Sequence, residues 1–237
     1  LIPYNIKRAD QIITISEATK LDIIKYFPKA KNKIKVIHLG YRKDDFKPIS
    51  QEDKKIFLDR HDYPDKFLLY IGRLESKKNV LSLIKAYKKT SRKWPLILAG
   101  RPGNYGYAAI EKMCAETDLK DDIMLLGYVS QVNYPKLMAS ATGFVFPSKF
   151  EGFGLPVLEA MASGVPVTCS NILALKEVAQ DAALYFDPDN IEDIKNKIEI
   201  IFNNQEQRTD LIAKGLERAK QFSWSKVARE TLDYILE

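Results

Sequence analysis

The sequence lacks any apolar run of about 18 residues, so no transmembrane helix is expected, and it shows no signal-peptide pattern. Cysteine is scarce. Cys114 and Cys169 have no metal-ligand spacing and read as buried thiols in a reducing compartment. Histidine is equally scarce: neither His38 nor His61 pairs with Cys or Asp at ligand spacing, and no chemistry is assigned to them. No G-x-G-x-x-G follows a strand, which disfavours a nicotinamide dehydrogenase. No recognition-helix or aromatic–basic pattern supports nucleic-acid binding. An excess of either charge is missing from most of the chain: residues 61–237 carry 23 Lys/Arg and 23 Asp/Glu. The whole net charge of +6 comes from residues 1–60, with 14 Lys/Arg against 8 Asp/Glu. A basic segment of this kind suits nucleic acid, anionic lipid or an acidic substrate, but more often it is a solvated face.

What is present is a globular composition. The 237 residues are 46% hydrophobic and 29% charged, enough for a substantial core in one large domain or one domain plus extras. Residues 9–15 (A-D-Q-I-I-T-I) and 34–39 (I-K-V-I-H-L) read as strands. Between them Ser16 is an N-cap for a helix over 17–27, with Ala18, Leu21, Ile24 and Phe27 at helical spacing. Residues 41–65 are polar, hold Pro48 and Pro64, and read as a linker with one short helix.

From residue 67 the rhythm is regular. Apolar runs at 67–71, 96–99, 123–126, 143–146, 165–169 and 183–186 alternate with helical stretches near 79–90, 105–117, 131–140, 156–163 and 173–179. This is βαβ repetition, so the expected fold is α/β, a Rossmann-like parallel sheet of six strands covered by helices. Ligands of such sheets bind beyond the C-terminal ends of the strands. Helices are expected over 191–202 and 205–220. A last one, capped by Ser223, carries Trp224, Val227, Ala228, Leu232 and Ile235 on one stripe.

The most informative stretch is F-E-G-F-G-L-P-V-L-E at 150–159, followed by A-M-A-S-G-V-P-V. It reads as strand, glycine loop and helix, with Pro156 suited to a first helical position and Gly164 as the stop. Free N–H groups at a helix start, approached through Gly152 and Gly154, form an anion site. Glu159 lies about 4.5 Å further along the axis than Pro156. A carboxylate there can accept hydrogen bonds from two ribose hydroxyls, or it can merely complement the helix dipole. Glu151 stays in the loop, at the mouth. Upstream, G-R-L-E-S-K-K-N at 72–79 follows a strand, and Arg73 and Lys78 can converge on a diphosphate. Lys77 reads as a solvated neighbour. Gly100 and Arg101 (G-R-P-G) follow the next strand, and Val129 and Ser130 (G-Y-V-S) the one after.

E-G-F-G-L-P-V-L-E resembles the E-x7-E motif of the retaining glycosyltransferases of family 4 (group 1), which have the GT-B fold. G-R-L-E-S-K-K-N is similar to that family's G-R-L-x-x-x-K-N, and the opening A-D-Q-I-I-T-I-S-E and V-I-H-L-G are similar to the close of its N-terminal domain. The likeness covers nearly the whole chain and is nearest to the mannosyltransferase-like branch. It implies a nucleotide-diphosphate sugar (GDP-, UDP- or ADP-linked) as donor and a glycan or lipid-linked acceptor, with no cofactor, metal or nucleic acid. It implies Glu151 facing the donor sugar and Glu159 holding the ribose. Arg73 and Lys78 stabilise the leaving diphosphate beside Gly152, Phe153, Gly154 and Leu155, with Gly72, Gly100, Arg101, Val129 and Ser130 at the nucleotide. The implied domain plan is a remnant of an acceptor domain over 1–40, a linker over 41–65, a donor-binding domain over 66–220 and a terminal helix over 221–237. That helix either crosses back to the N-terminal part or packs on its own domain. The first residue is Leu, not Met. With no acceptor domain preceding residue 9, the expectation is a donor-binding half that transfers no sugar alone. The expected location is the cytoplasm, either free or peripheral at the inner face of the membrane. Two alternatives remain: a non-catalytic nucleotide-sugar module, and another GT-B-like enzyme such as an epimerase or phosphorylase. Asp187-Pro188-Asp189 matches the D-x-D metal motif of a different glycosyltransferase fold. It lies past the last strand and is rejected as a metal site, Pro188 favouring a turn.

Overall fold

The computed structural model describes residues 2–116 and 118–236. The helix expected over 105–117 therefore extends at its last residue beyond the described residues. It runs in the structure as α5 (Tyr107–Cys114), after α1 (Ile2–Arg8), α2 (Glu17–Tyr26), α3 (Gln51–His61) and α4 (Val80–Lys88).

Six strands form the main sheet: β3 (Leu68–Ile71), β4 (Leu96–Ala99), β5 (Ile123–Gly127), β6 (Gly143–Phe146), β7 (Val167–Ser170) and β8 (Ala183–Phe186). Their order is β5-β4-β3-β6-β7-β8, and every pairing is parallel. The expected parallel α/β sheet is thus what the chain forms. The apolar runs are nearly continuous because helices cover both faces of a parallel sheet. All four residues of β4 and of β6 are buried. The strand order reverses between β3 and β6, and at such a switch point the loops leaving two adjacent strands diverge and open a crevice.

The helices bury one stripe each. Val80, Leu83, Ile84 and Tyr87 of α4 repeat at helical spacing and are fully buried. So are Ile194, Ile198 and Ile201 of α9 (Ile191–Asn203). Each such side chain contributes about 1.5–3 kcal/mol relative to exposure. The stability of the chain therefore resides in the sheet domain, which α6 (Asn133–Ser140), α7 (Leu155–Ala162), α8 (Leu173–Ala179) and α10 (Gln205–Ala219) complete.

A second, smaller sheet pairs β1 (Ile12–Thr14) with β2 (Ile34–Val36) in parallel. Its helix α2 buries no residue completely. Ser16 is its N-cap, the hydroxyl accepting from the Thr19 amide. Residues 41–65 are more than a tether: Phe46, Phe57 and Leu58 sit in the main core, and α3 packs on α6. The polar composition of α3 hid this, because two apolar residues suffice to anchor it. The last helix, α11 (Trp224–Leu236), carries its apolar stripe largely in the open, with Trp224, Leu232 and Ile235 exposed. The Tyr234 hydroxyl donates to the Lys33 carbonyl at 2.8 Å, which lays α11 beside the small sheet. No helix among the described residues is long and apolar enough to cross a membrane.

Candidate functional site

The loops leaving β3 and β6 meet at the switch point. The first, Gly72–Asn79, is shaped by the Tyr70 hydroxyl, which donates to the Arg73 carbonyl at 2.9 Å, and by a 3-10 turn over Ser76–Lys78. Lys78 thus ends this turn, just ahead of α4. Asn79 takes a left-handed conformation (φ 58°) as the cap of α4, and its side chain donates to the Pro188 carbonyl at 2.7 Å. This turn aims Lys78 across the sheet edge at the second loop. There its ammonium donates to Glu151 Oε1 at 2.5 Å, with both side chains more than four-fifths covered. The same ammonium lies 5.8 Å from the centre of the Phe146 ring, at the end of β6.

Arg73 is not drawn into that pair. It is 57% exposed and lies 3.6 Å from Glu75, which also faces Lys77 at 3.2 Å. Glu75 is itself nearly buried, and its Oε1 has no well-aligned hydrogen-bond donor. The two cations expected to act together therefore have separate partners: Lys78 faces the glycine loop and Arg73 the solvent side.

The glycine loop ends at α7. Gly154 caps the helix at φ 111°, and Leu155 and Pro156 begin it. A Cβ at Gly154 would stand 2.5 Å from a Leu175 methyl. Gly154→Ala should therefore cost about 1–3 kcal/mol of stability, read by urea unfolding, from backbone strain and displacement of Leu175. The Phe153 side chain is buried, 5.9 Å from His38 and 6.0 Å from Phe222 by ring centres, so only its backbone remains for a ligand. Gly100 serves close approach: a Cβ there would lie 1.7 Å from the Gly72 carbonyl, so the loops after β3 and β4 touch backbone to backbone.

Glu159 lies on the second turn of α7, past the first-turn positions that complement a helix dipole. The Tyr134 hydroxyl of α6 donates to its Oε2. Tyr134 in turn packs edge-on against Phe46 at 5.1 Å. Burial pushes the Glu159 carboxyl up to about 7, against the opposing pull of the Tyr134 hydrogen bond and the Arg42 charge. Burial and the neighbouring carboxylate push the Tyr134 hydroxyl the other way from ionisation, well above its ordinary value.

Further along the edge, the Arg101 guanidinium stacks 4.3 Å over the exposed Tyr128 ring. Val129 packs against the core, and the Ser130 hydroxyl accepts from the Asn133 amide at 3.2 Å, starting α6. Asp187 and Asp189 are turn residues: the Asp187 side chain accepts from the Asp189 amide at 2.9 Å, and Asp189 pairs with Lys149. Among the described residues no three His, Cys, Asp or Glu side chains are grouped to hold a metal ion.

Sequence reasoning missed Tyr134, Tyr128 and Glu75. Tyr128 had a signal, a large aromatic one residue past a strand on the ligand edge. Tyr134 had none, because it reaches Glu159 across 25 residues of chain.

Residues 50–218 match the family model described as "Glycosyl transferases group 1". The chain is 35% identical over 230 residues to the O-antigen chain mannosyltransferase B of Escherichia coli, covering 95% of this chain and 60% of that one. It is 32% identical over 214 residues to the O-antigen chain mannosyltransferase RfbU of Salmonella typhimurium, covering 90% and 56%. The chain thus spans a little over half the length of these curated relatives. Among solved structures, HepE of Anabaena in complex with UDP and glucose superposes with a TM-score of 0.88 at 19% identity, covering 99% of this chain and 65% of that one. Sucrose-phosphate synthase of Thermosynechococcus elongatus superposes at 0.84 with 23% identity, covering 96% and 58%.

Proposed function

The chain belongs to the group 1 glycosyl transferases, and on that premise we propose that its sheet edge is the donor site of a retaining hexosyltransferase that takes a nucleotide-diphosphate sugar. The observation that carries this reading is the Lys78–Glu151 pair at the switch point. A cation and a carboxylate from two loops stand 2.5 Å apart, beside a glycine loop that leads through the Gly154 cap into the start of α7. Lys78 and the loop amides hold the diphosphate, and Arg73 reaches it from the solvent side. Glu159 receives the ribose hydroxyls in place of, or beside, the Tyr134 hydroxyl. Glu151 turns from Lys78 to the sugar when the diphosphate claims the ammonium.

In the reaction the bond between the anomeric carbon and the diphosphate oxygen breaks, and its electron pair leaves on the diphosphate. Charge develops on that oxygen, where Lys78 and fixed amides stabilise it more than they stabilise the ground state. The acceptor hydroxyl bonds to the anomeric carbon on the face the diphosphate leaves, and its proton goes to the departing phosphate oxygen. Mannose as the sugar and an O-antigen-type glycan as the acceptor are what the two bacterial relatives suggest for this chain.

Calorimetry with GDP, UDP and their hexose conjugates tests this. Glu151→Gln should bind the bare diphosphate no more weakly than the wild type, since it releases Lys78, and should bind the sugar conjugate more weakly. If none of these ligands binds the wild type, or if Glu151→Gln weakens bare diphosphate and conjugate alike, the reading is wrong.

A further inference from the structure

The glycine loop is held from outside the sheet domain. Ser16, at the start of α2, is completely buried, and its hydroxyl donates to the Gly152 carbonyl at 2.6 Å across 136 residues of chain. The same oxygen accepts from the Thr19 amide at 3.0 Å, so one hydroxyl caps α2 and grips the loop at once. The Thr19 hydroxyl gives the Gly152 carbonyl a second, longer bond at 3.3 Å. Gly152 sits between Glu151, which pairs with Lys78, and Phe153, whose side chain is wedged under His38.

The helix start that carries Ser16 is itself fixed to the sheet domain. Glu177 of α8 accepts from the Glu17 amide at 2.8 Å and the Ala18 amide at 3.3 Å. Its Oε1 also lies 2.6 Å from His38 Nε2. The first turn of α2 is therefore clamped on two sides, and of the two acceptors within reach of the Ser16 hydroxyl, the Gly152 carbonyl at 2.6 Å is nearer than the Thr19 hydroxyl at 3.0 Å. A cavity of about 200 Å³ opens beside it, lined by Ala18, Leu21 and Asp22 of α2 and by Glu151 of the loop.

Resting on the donor-site reading above, we infer that Ser16 is a positioning residue for the donor diphosphate. It acts through the Gly152 carbonyl. An amide plane is rigid, so pinning the Gly152 oxygen fixes the direction of the Phe153 N–H on the other side of the same peptide. Among the described residues that N–H meets no protein acceptor, so on this inference it is one of the loop amides that would take a phosphate, and fixing it before binding removes an ordering cost from binding. Without the Ser16 hydroxyl the Gly152 carbonyl keeps only the longer bond from Thr19, and the amide plane is held less tightly.

The test separates this role from the cap. Ser16→Ala should weaken UDP or GDP binding about tenfold by calorimetry while leaving the affinity for the free nucleoside unchanged. Ser16→Thr keeps the hydroxyl and should restore the wild-type affinity. Ser50→Ala removes the equivalent cap of α3, where the Ser50 hydroxyl accepts from the Asp53 amide at 3.0 Å. It should lower the melting temperature like Ser16→Ala and leave diphosphate affinity alone. If the wild type binds and Ser16→Ala binds equally well, the positioning role is overturned and the donor site stands. Equal losses for diphosphate and nucleoside, or a matching loss in Ser50→Ala, overturn it as well, since either marks a general destabilisation. If the wild type binds neither diphosphate, the donor-site reading fails and this inference with it.

Discussion

Lys78→Ala should lower the affinity for nucleoside diphosphate by roughly 10- to 150-fold, and it should destabilise the free protein as well. The binding loss is that of one charge-assisted hydrogen bond, about 1.5–3 kcal/mol. Destabilisation follows from the partner left behind. The Glu151 side chain is 13% exposed and takes its ion pair from Lys78 at 2.5 Å. Removing the ammonium strands a carboxylate that water reaches poorly. A fully buried pair broken this way costs 3–5 kcal/mol and a surface pair at most about 1, so a loss of about 2–3 kcal/mol is expected here. The double variant Lys78→Ala/Glu151→Gln should regain most of that stability, because a neutral amide replaces the stranded charge, but none of the diphosphate affinity. Arg73→Ala, with its side chain 57% exposed, should cost less than 1 kcal/mol of stability and a smaller part of the affinity. Urea unfolding and calorimetry on the four proteins check both halves. Were the double variant as unstable as Lys78→Ala, the Lys78–Glu151 pair would not be the cause.

Glu159→Gln should make the protein more stable at alkaline pH and bind nucleotide less well. The Glu159 carboxyl titrates near 7 in the folded chain, against 4.5 ordinarily, chiefly because it is buried. Between those two values the folded state holds a proton that the unfolded state has lost. Stability from this group is therefore present at acid pH and falls as pH rises through about 7. Gln matches the protonated carboxyl in shape and can still accept from Tyr134. Wild type and variant should thus unfold alike below about pH 4, and the variant should gain about 2–3 kcal/mol on the wild type by pH 8. That corresponds to a relative rise in melting temperature of roughly 4–12 °C. Nucleotide binding runs the other way. Ribose hydroxyls donate best to the ionised carboxylate, so the wild type should bind more tightly above pH 7 and release a proton on binding below it. The variant should lose about 1–2 kcal/mol of affinity at pH 8. Subtracting the variant's pH profile from that of the wild type removes the titration of the ligand's own phosphate. A variant less stable than the wild type at pH 8 would mean that Glu159 serves the helix dipole.

The two glutamates share a motif but not an environment. Glu151 has a cation, whereas Glu159 has a phenol and little water. On the proposed reading, the first exchanges partners when a diphosphate arrives and the second loses a proton when a ribose does. Both glutamates line the crevice where β3 and β6 part, and both environments draw on side chains from elements outside the motif. Tyr134 comes from α6, and the hydroxyl that steadies Gly152 comes from α2.

The local periodicities of the sequence determined the elements and the side of the sheet on which the site lies. Six apolar runs alternating with helical stretches can close only as a parallel sheet with crossover helices, and short loops then collect at the strands' C-terminal ends. Glu151, Glu159, Arg73 and Lys78 could be picked out as candidates because each lies in the loop or helix that follows such a strand. The partner of each was not legible. Lys78 meets Glu151 across 73 residues, Glu159 meets Tyr134 across 25, and Ser16 meets Gly152 across 136. Periodicity reaches one or two turns along a chain and says which face a residue occupies. Only the order of the strands, β3 beside β6 with the small sheet laid over their loops, decided which faces touch. That order separated Arg73 from Lys78, buried Phe153 and raised Glu159, because it set the charges, hydroxyls and water each side chain meets.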